Sequence, residues 1–315
     1  MVWFALASYR ADRRTRAALV IGDRLYDLDA SARALAAGEA DPRAAWPWAA
    51  WSVDELIGDW PAVRAGVQAL AARAAQAVRT GGLTALTVAA GDIAPPIRPQ
   101  RVFCAASNFV EHAAEMGTVL AAKVDSRPYM FMKPGTAVIG QNEVVRLPAR
   151  SEQVDWEVEL GVVIGQRARN VSAANALDCV AGYTVVNDVS ARDLNMRSDF
   201  PFKFDWFQGK CFDTFAPLGP WIVPSSLIAD PQQLRLTLSV NGEVMQDDTT
   251  RAMIFDVREQ IEYLSSILTL LPGDVIATGT PTGVGMGRGI YLKPGDVMEA
   301  RIDGIGMLRN PVAAE

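Results

Sequence analysis

The spacing of apolar positions changes along the chain. From Trp3 to Leu28 they alternate loosely with polar ones and break at Gly22-Asp23, which predicts a β-hairpin. From Ala30 to Val78 the chain is rich in Ala, Arg and Leu. There Ser52-Val53-Asp54-Glu55 places an N-cap before an apolar-periodic run, so helices are predicted, ended by Gly81-Gly82. The proline-dense segment Ile93–Gln100 predicts a linker. It divides a small N-terminal α/β domain, residues 1–95, from a second domain, residues 96–315.

Beyond the linker the apolar runs are short and β-type: Val102–Ala105, Val144–Leu147, Glu157–Gly165, Gly182–Asn187, Leu234–Val240, Asp274–Thr278 and Val297–Ile302. Two helices interrupt them, one after Asn108 and one from about Phe255 to Leu270. Many strands with few helices predict an α+β, mainly β fold rather than a doubly wound one.

With 315 residues, half of them hydrophobic, the chain can bury a sizeable core. A net charge of −6 disfavours nucleic acid as a partner. The three cysteines, Cys104, Cys179 and Cys211, are scattered and read as reduced thiols with packing roles. The N-terminal apolar stretch is too short for a signal core and no run is long enough to span a membrane, so a soluble cytoplasmic protein is expected.

Candidate chemistry begins at Val154-Asp-Trp-Glu-Val-Glu-Leu160. On one continuous strand Asp155, Glu157 and Glu159 share a face. The plain alternative is a solvated acidic face. However, the strand runs on into the apolar Gly161–Gly165, and buried carboxylates repel one another unless a cation joins them. A second apolar strand ends in Asp188. Carboxylates without His or Cys ligands favour a hard ion, and Glu157, Glu159 and Asp188 are the expected ligands of Mg²⁺ or Mn²⁺ (Ca²⁺ being a possible occupant in crystals).

His112 is the sole histidine. Asn108 is read as the N-cap of its helix with Glu111 as capping partner, which leaves Glu115 beside His112 on one helix face. A carboxylate-oriented imidazole is the arrangement a general base needs; a surface histidine with an incidental ion pair is the alternative. Lys133 and Lys210 lie in aromatic, Gly/Pro-punctuated segments suited to holding an anion. Ala277–Gly285 exposes many N–H and hydroxyl groups and could bind a carboxylate. It is not read as a nucleotide loop, because β-type sequence resumes at Ile290–Asp296.

These stretches together resemble the fumarylacetoacetate hydrolase family. The matching text is Asn108-Phe-x-x-His112-x-x-Glu115, Phe131-x-Lys-Pro134, Asp155-Trp-Glu-Val-Glu-Leu160, Asn187-Asp-Val-Ser-Ala-Arg-Asp193, Gly209-Lys-x-Phe-Asp-Thr-Phe-Ala-Pro-Leu-Gly-Pro220, Asn241-Gly-Glu-Val-Met-Gln246 and Leu271–Pro281. It covers about residues 100 to 312. The resemblance implies rolled β-sheets, a homodimer, a Mg²⁺ or Mn²⁺ site on Glu157, Glu159 and Asp188, and a His112–Glu115 pair that activates water. Lys210 matches the family lysine near the metal, and Thr280 the threonine that meets the substrate carboxylate. Lys133 and Asn195 are further expected substrate contacts; Asn195 stands where several members carry Gln and reaches one methylene less far. The aromatic stretch 197–207 is expected to form an apolar wall or lid.

The implied activity is hydrolysis of a C–C bond in a 1,3-diketo acid, of acylpyruvate or fumarylpyruvate type, with enolate charge held at the metal. Decarboxylation or tautomerisation of a 2-oxo acid, dehydration or hydrolysis of a 2-keto-3-deoxy sugar acid, and a non-catalytic binding role are the alternatives.

Overall fold

The computed structural model describes residues 2–37, 44–89, 92–117 and 119–315. Its main sheet has eleven strands. The path runs Arg24–Asp27, Arg14–Ile21, Ala5–Ala11, Ala216–Pro224, Val180–Asn187, Val158–Ile164, Val275–Ala277, Arg101–Ala106, Tyr129–Pro134, with two short strands attached at its side. A second sheet of five strands runs Glu243–Thr249, Arg235–Val240, Val297–Ile302, Gly306–Ala314, Val145–Leu147. A two-stranded piece pairs Val154–Asp155 with Ser190–Ala191.

Alternation along Val158–Ile164 shows how the layers stack. Val158, Leu160 and Val162 join a core shared with Leu236, Leu238, Met298 and Ala300 of the second sheet. Val163, pointing the other way, joins a core with Leu56, Ile57, Val63 and Leu70 of the N-terminal helices. The strand is buried on both faces, as its near-continuous apolar sequence requires.

The predicted Ser52 cap opens a helix. Val53–Gly58 opens on a capping box between Ser52 and Glu55. Trp60–Arg79 follows and buries Val63, Val67, Leu70, Ala71 and Ala74 at helical spacing. Gly81, at φ 75°, ends it in the left-handed conformation that suits glycine. The N-terminal segment is a three-stranded meander rather than a single hairpin, because the chain turns also at Asp12 and Arg13, both at positive φ. Ile93–Ala94 of the proline segment pairs with Ala5–Ala11, which in turn pairs with Ala216–Pro224. The strands on either side of that segment therefore belong to one sheet. Among the described residues, no helix is long and apolar enough to cross a membrane.

Candidate active site

Strand register brings the acids together. Val158 pairs with Asn187 in the antiparallel ladder, and one step further the Asp188 N–H donates to the Glu157 carbonyl at 2.8 Å. Glu157 and Asp188 are thus cross-strand neighbours, and Glu159 lies two residues along on the Glu157 face. One carboxylate oxygen from each of Glu157, Glu159 and Asp188 lies within 4.8 Å of the other two. All three side chains are buried.

Cations surround this group. Lys210 Nζ donates to Glu157 Oε2 at 2.8 Å and Asp188 Oδ2 at 2.6 Å. Arg192 Nη2 stands 2.6 Å from Glu157 Oε1, while its Nε donates to Asp155 Oδ2 at 2.8 Å. Lys133 pairs with Asp188 and donates to the Val189 carbonyl at 2.9 Å and to the Phe215 carbonyl.

The electrostatics follow. Burial opposes the charge on Glu157, but Lys210 and Arg192 outweigh it and hold the carboxyl well below its usual range. Burial also opposes the Lys210 ammonium, which Asp188 and Glu157 nonetheless keep strongly protonated. Glu159 goes the other way. Burial, then repulsion from Asp188 and Glu157, pushes its carboxyl well above the usual range against one N–H bond from Gly279 at 2.8 Å.

These residues fit a divalent cation. Burial and the neighbouring Asp188 and Glu157 disfavour the anionic form of Glu159, a cost that a cation among the three carboxylates would remove. Asp188 Oδ1 touches Lys133 yet accepts no hydrogen bond among the described residues. The donors are all oxygen, which suits a hard ion.

His112 is buried at the edge of the same cavity, of about 600 Å³, which the three acids, Lys210, Asn195 and Thr280 also line. Its Nδ1 lies 3.4 Å from Glu115 Oε2, leaving Nε2 as the nitrogen that can take a proton. Glu115 is gripped in turn by the Gly283 N–H, at 3.1 and 3.2 Å from its two oxygens. Burial disfavours its charge, but the His112 and Gly283 hydrogen bonds prevail and lower its pKa.

The loop after Val275–Ala277 directs its N–H groups at carboxylates, and those carboxylates are the protein's own. Gly279 holds Glu159, Gly283 holds Glu115, and Gly285 and Met286 hold Asp155. Thr280 Oγ1 donates to the Val158 carbonyl and accepts from Gln246, so the hydroxyl expected at the substrate carboxylate is already engaged twice.

Several expectations need correction. Asp155 does not share a strand face with Glu157 and Glu159. The chain leaves the ladder between Val154–Asp155 and Val158–Ile164, and Asp155 turns to Arg192 and the Gly285 loop. Asn108 does not cap the His112 helix; Phe109 takes that position without a side-chain cap. The Asn108 amide instead bonds Phe255 on both sides and the Thr278 carbonyl. Lys133 is buried against Asp188, with its ammonium also on the Val189 and Phe215 carbonyls. Residues 290–296 form no strand, and the loop opens the short helix Gly285–Arg288. Gln246, a buried amide that joins Val158 N–H to Thr280 and Pro281, was not singled out from the sequence; in the strand Glu243–Thr249 only it and Met245 are buried, and nothing in the local sequence marks it.

Known proteins resemble this chain in sequence and fold. The sequence pattern described as Fumarylacetoacetate (FAA) hydrolase C-terminal matches residues 101–313. The mitochondrial oxaloacetate tautomerase FAHD2A of Homo sapiens is 42% identical over 222 residues, 70% of this chain and 68% of that protein. The crystal structure of 2-hydroxyhepta-2,4-diene-1,7-dioate isomerase from Mycobacterium marinum superposes with a TM-score of 0.61 at 42% identity, covering 71% of this chain and 78% of the other. Maleylpyruvate hydrolase from Sphingobium sp. SYK-6, solved with manganese(II) and pyruvate, gives a TM-score of 0.73 at 30% identity over 98% and 99% of the two chains. The matched pattern and these relatives, together with the buried acid cluster, place the chain in the fumarylacetoacetate hydrolase family of enzymes.

Proposed function

We propose that the chain hydrolyses the C–C bond of a 1,3-diketo acid of acylpyruvate type, using a divalent cation held by Glu157, Glu159 and Asp188. The observation that carries this reading is one cavity lined by both a Glu115-oriented imidazole and the buried acid cluster. Mn²⁺ or Mg²⁺ at the three carboxylates would supply Lewis-acid polarisation of the 2-oxo acid end. The Sphingobium hydrolase, with manganese and pyruvate together, supports that assignment.

The protein's own groups account for the rest. His112 takes a proton from water, and the water oxygen bonds to the distal carbonyl carbon. The C–C bond to the pyruvate methylene then breaks. Its electron pair moves into the pyruvate enolate, whose charge the Lys210 ammonium opposes from close range. The proton on His112 returns to the enolate carbon, giving a carboxylic acid and pyruvate. Glu115 fixes the imidazole tautomer and stabilises its protonated form.

A second reading has support from the tautomerase and isomerase among the relatives. Moving a proton between carbon and oxygen of a 2-oxo acid needs the same base and the same anionic head site, but no attacking water. Assays of the Mn²⁺-supplied protein with acylpyruvates and with enol-oxaloacetate separate the two. Release of pyruvate from acylpyruvates supports hydrolysis; enol–keto conversion without pyruvate release supports the second reading. In either case His112→Ala should lower kcat by about 10² to 10⁴, and unchanged turnover would remove the proposed base.

A further inference from the structure

We infer that the outer half of the cavity is a subsite for an apolar acyl tail, best filled by an aromatic ring, with Trp206 and Phe204 setting that preference. The inference rests on the acylpyruvate reading of the inner half and extends it to the other end of the substrate. Continuity between the two halves carries it. Lys210, bound to Glu157 and Asp188, lies 5.2 Å from the Phe131 ring centroid. Phe131 meets Trp206 edge to face at 4.9 Å, and Trp206 meets Tyr129 at 4.9 Å and Phe204 at 6.2 Å in the same manner. Rings therefore lead from the charged head site to the mouth of one cavity.

The outer rings are left in water. Tyr129 is 63% exposed and Phe204 65%, although both line the cavity. Clustered aromatic surface of this kind, joined to a polar centre, is what a ligand with one charged and one apolar end requires. A second carboxylate at that end would lose hydration against these rings. Of the cations on the cavity wall, Arg192 and Lys210 are already bound to acids, while Arg127 is exposed at its edge.

The test is calorimetric titration of benzoylpyruvate, acetylpyruvate and fumarylpyruvate, which share the head group and differ in tail. It uses Mn²⁺-supplied protein carrying His112→Ala, so that tails are read without turnover. Burial of a phenyl group predicts that benzoylpyruvate binds at least about tenfold tighter than acetylpyruvate. That ratio should fall severalfold on adding Phe204→Ala or Trp206→Leu, two changes in different structural settings. Tighter binding of fumarylpyruvate than of benzoylpyruvate overturns the inference. So does a benzoyl-to-acetyl ratio that both changes leave intact, including the case where sedimentation shows they alter self-association instead. Turnover of the same compounds by protein with His112 present tests the hydrolase reading separately, so either claim can fail alone.

Discussion

The Lys210 ammonium nitrogen lies 2.6 Å from Asp188 Oδ2, with both side chains almost wholly out of solvent. Such a pair depends on both members, since removing one leaves an uncompensated buried charge. Lys210→Met should destabilise the metal-free protein by about 3 kcal/mol, measured by denaturant unfolding. The same change removes a positive charge beside the acids. Mn²⁺ should therefore raise the melting temperature of the variant more than that of the wild type.

Gly287 packs directly against Glu115, and a Cβ there would overlap the Glu115 carboxylate arm. Gly287→Ala must displace Glu115 from the Gly283 N–H and from His112. We expect kcat to fall by at least about tenfold, towards the loss seen when a general base is mispositioned, with Mn²⁺ affinity little changed. Steady-state kinetics and a metal titration on the same protein check both halves.

Glu115 also predicts a pH dependence. Its pKa is lowered on folding because the His112 and Gly283 hydrogen bonds outweigh the effect of burial. A carboxyl depressed on folding contributes stability that is fully present above its unfolded value. That contribution is lost as pH falls through the folded value. Unfolding of wild type and Glu115→Gln from about pH 5 to pH 3 should show a stability difference that shrinks on acidification. A difference that grows as pH falls would contradict the sign.

The parts of the site that follow local rules were legible in the sequence. Glu157 and Glu159 share a face because side chains repeat every two residues, and Asp188 ends an apolar strand. What escaped depends on distant partners. The fate of Asp155 is set by Arg192 and by N–H groups of a loop 130 residues away in sequence. Ala216–Pro224 carries three prolines yet lies inside the main sheet, between Ala5–Ala11 and Val180–Asn187, where proline is disfavoured. Its pairing tolerates them because its contact with Ala5–Ala11 is confined to Leu6 and Ile222 and its other register is shifted. The turn at Asp12-Arg13 carries none of the glycine or asparagine that marks a tight hairpin. The tertiary service of Asn108, which ties the His112 segment to Phe255 and Thr278, imitated a helix cap in sequence.

The central claim is that carboxylates from two neighbouring strands hold one hard cation. Calorimetric titration of Mn²⁺ into the wild type and into Glu159→Gln tests it most directly. One ion per chain should bind to the wild type, and the substitution should weaken that binding at least about tenfold, as expected for loss of a charged ligand in a buried site. Absence of binding to the wild type, or binding that Glu159→Gln leaves unchanged, would contradict it.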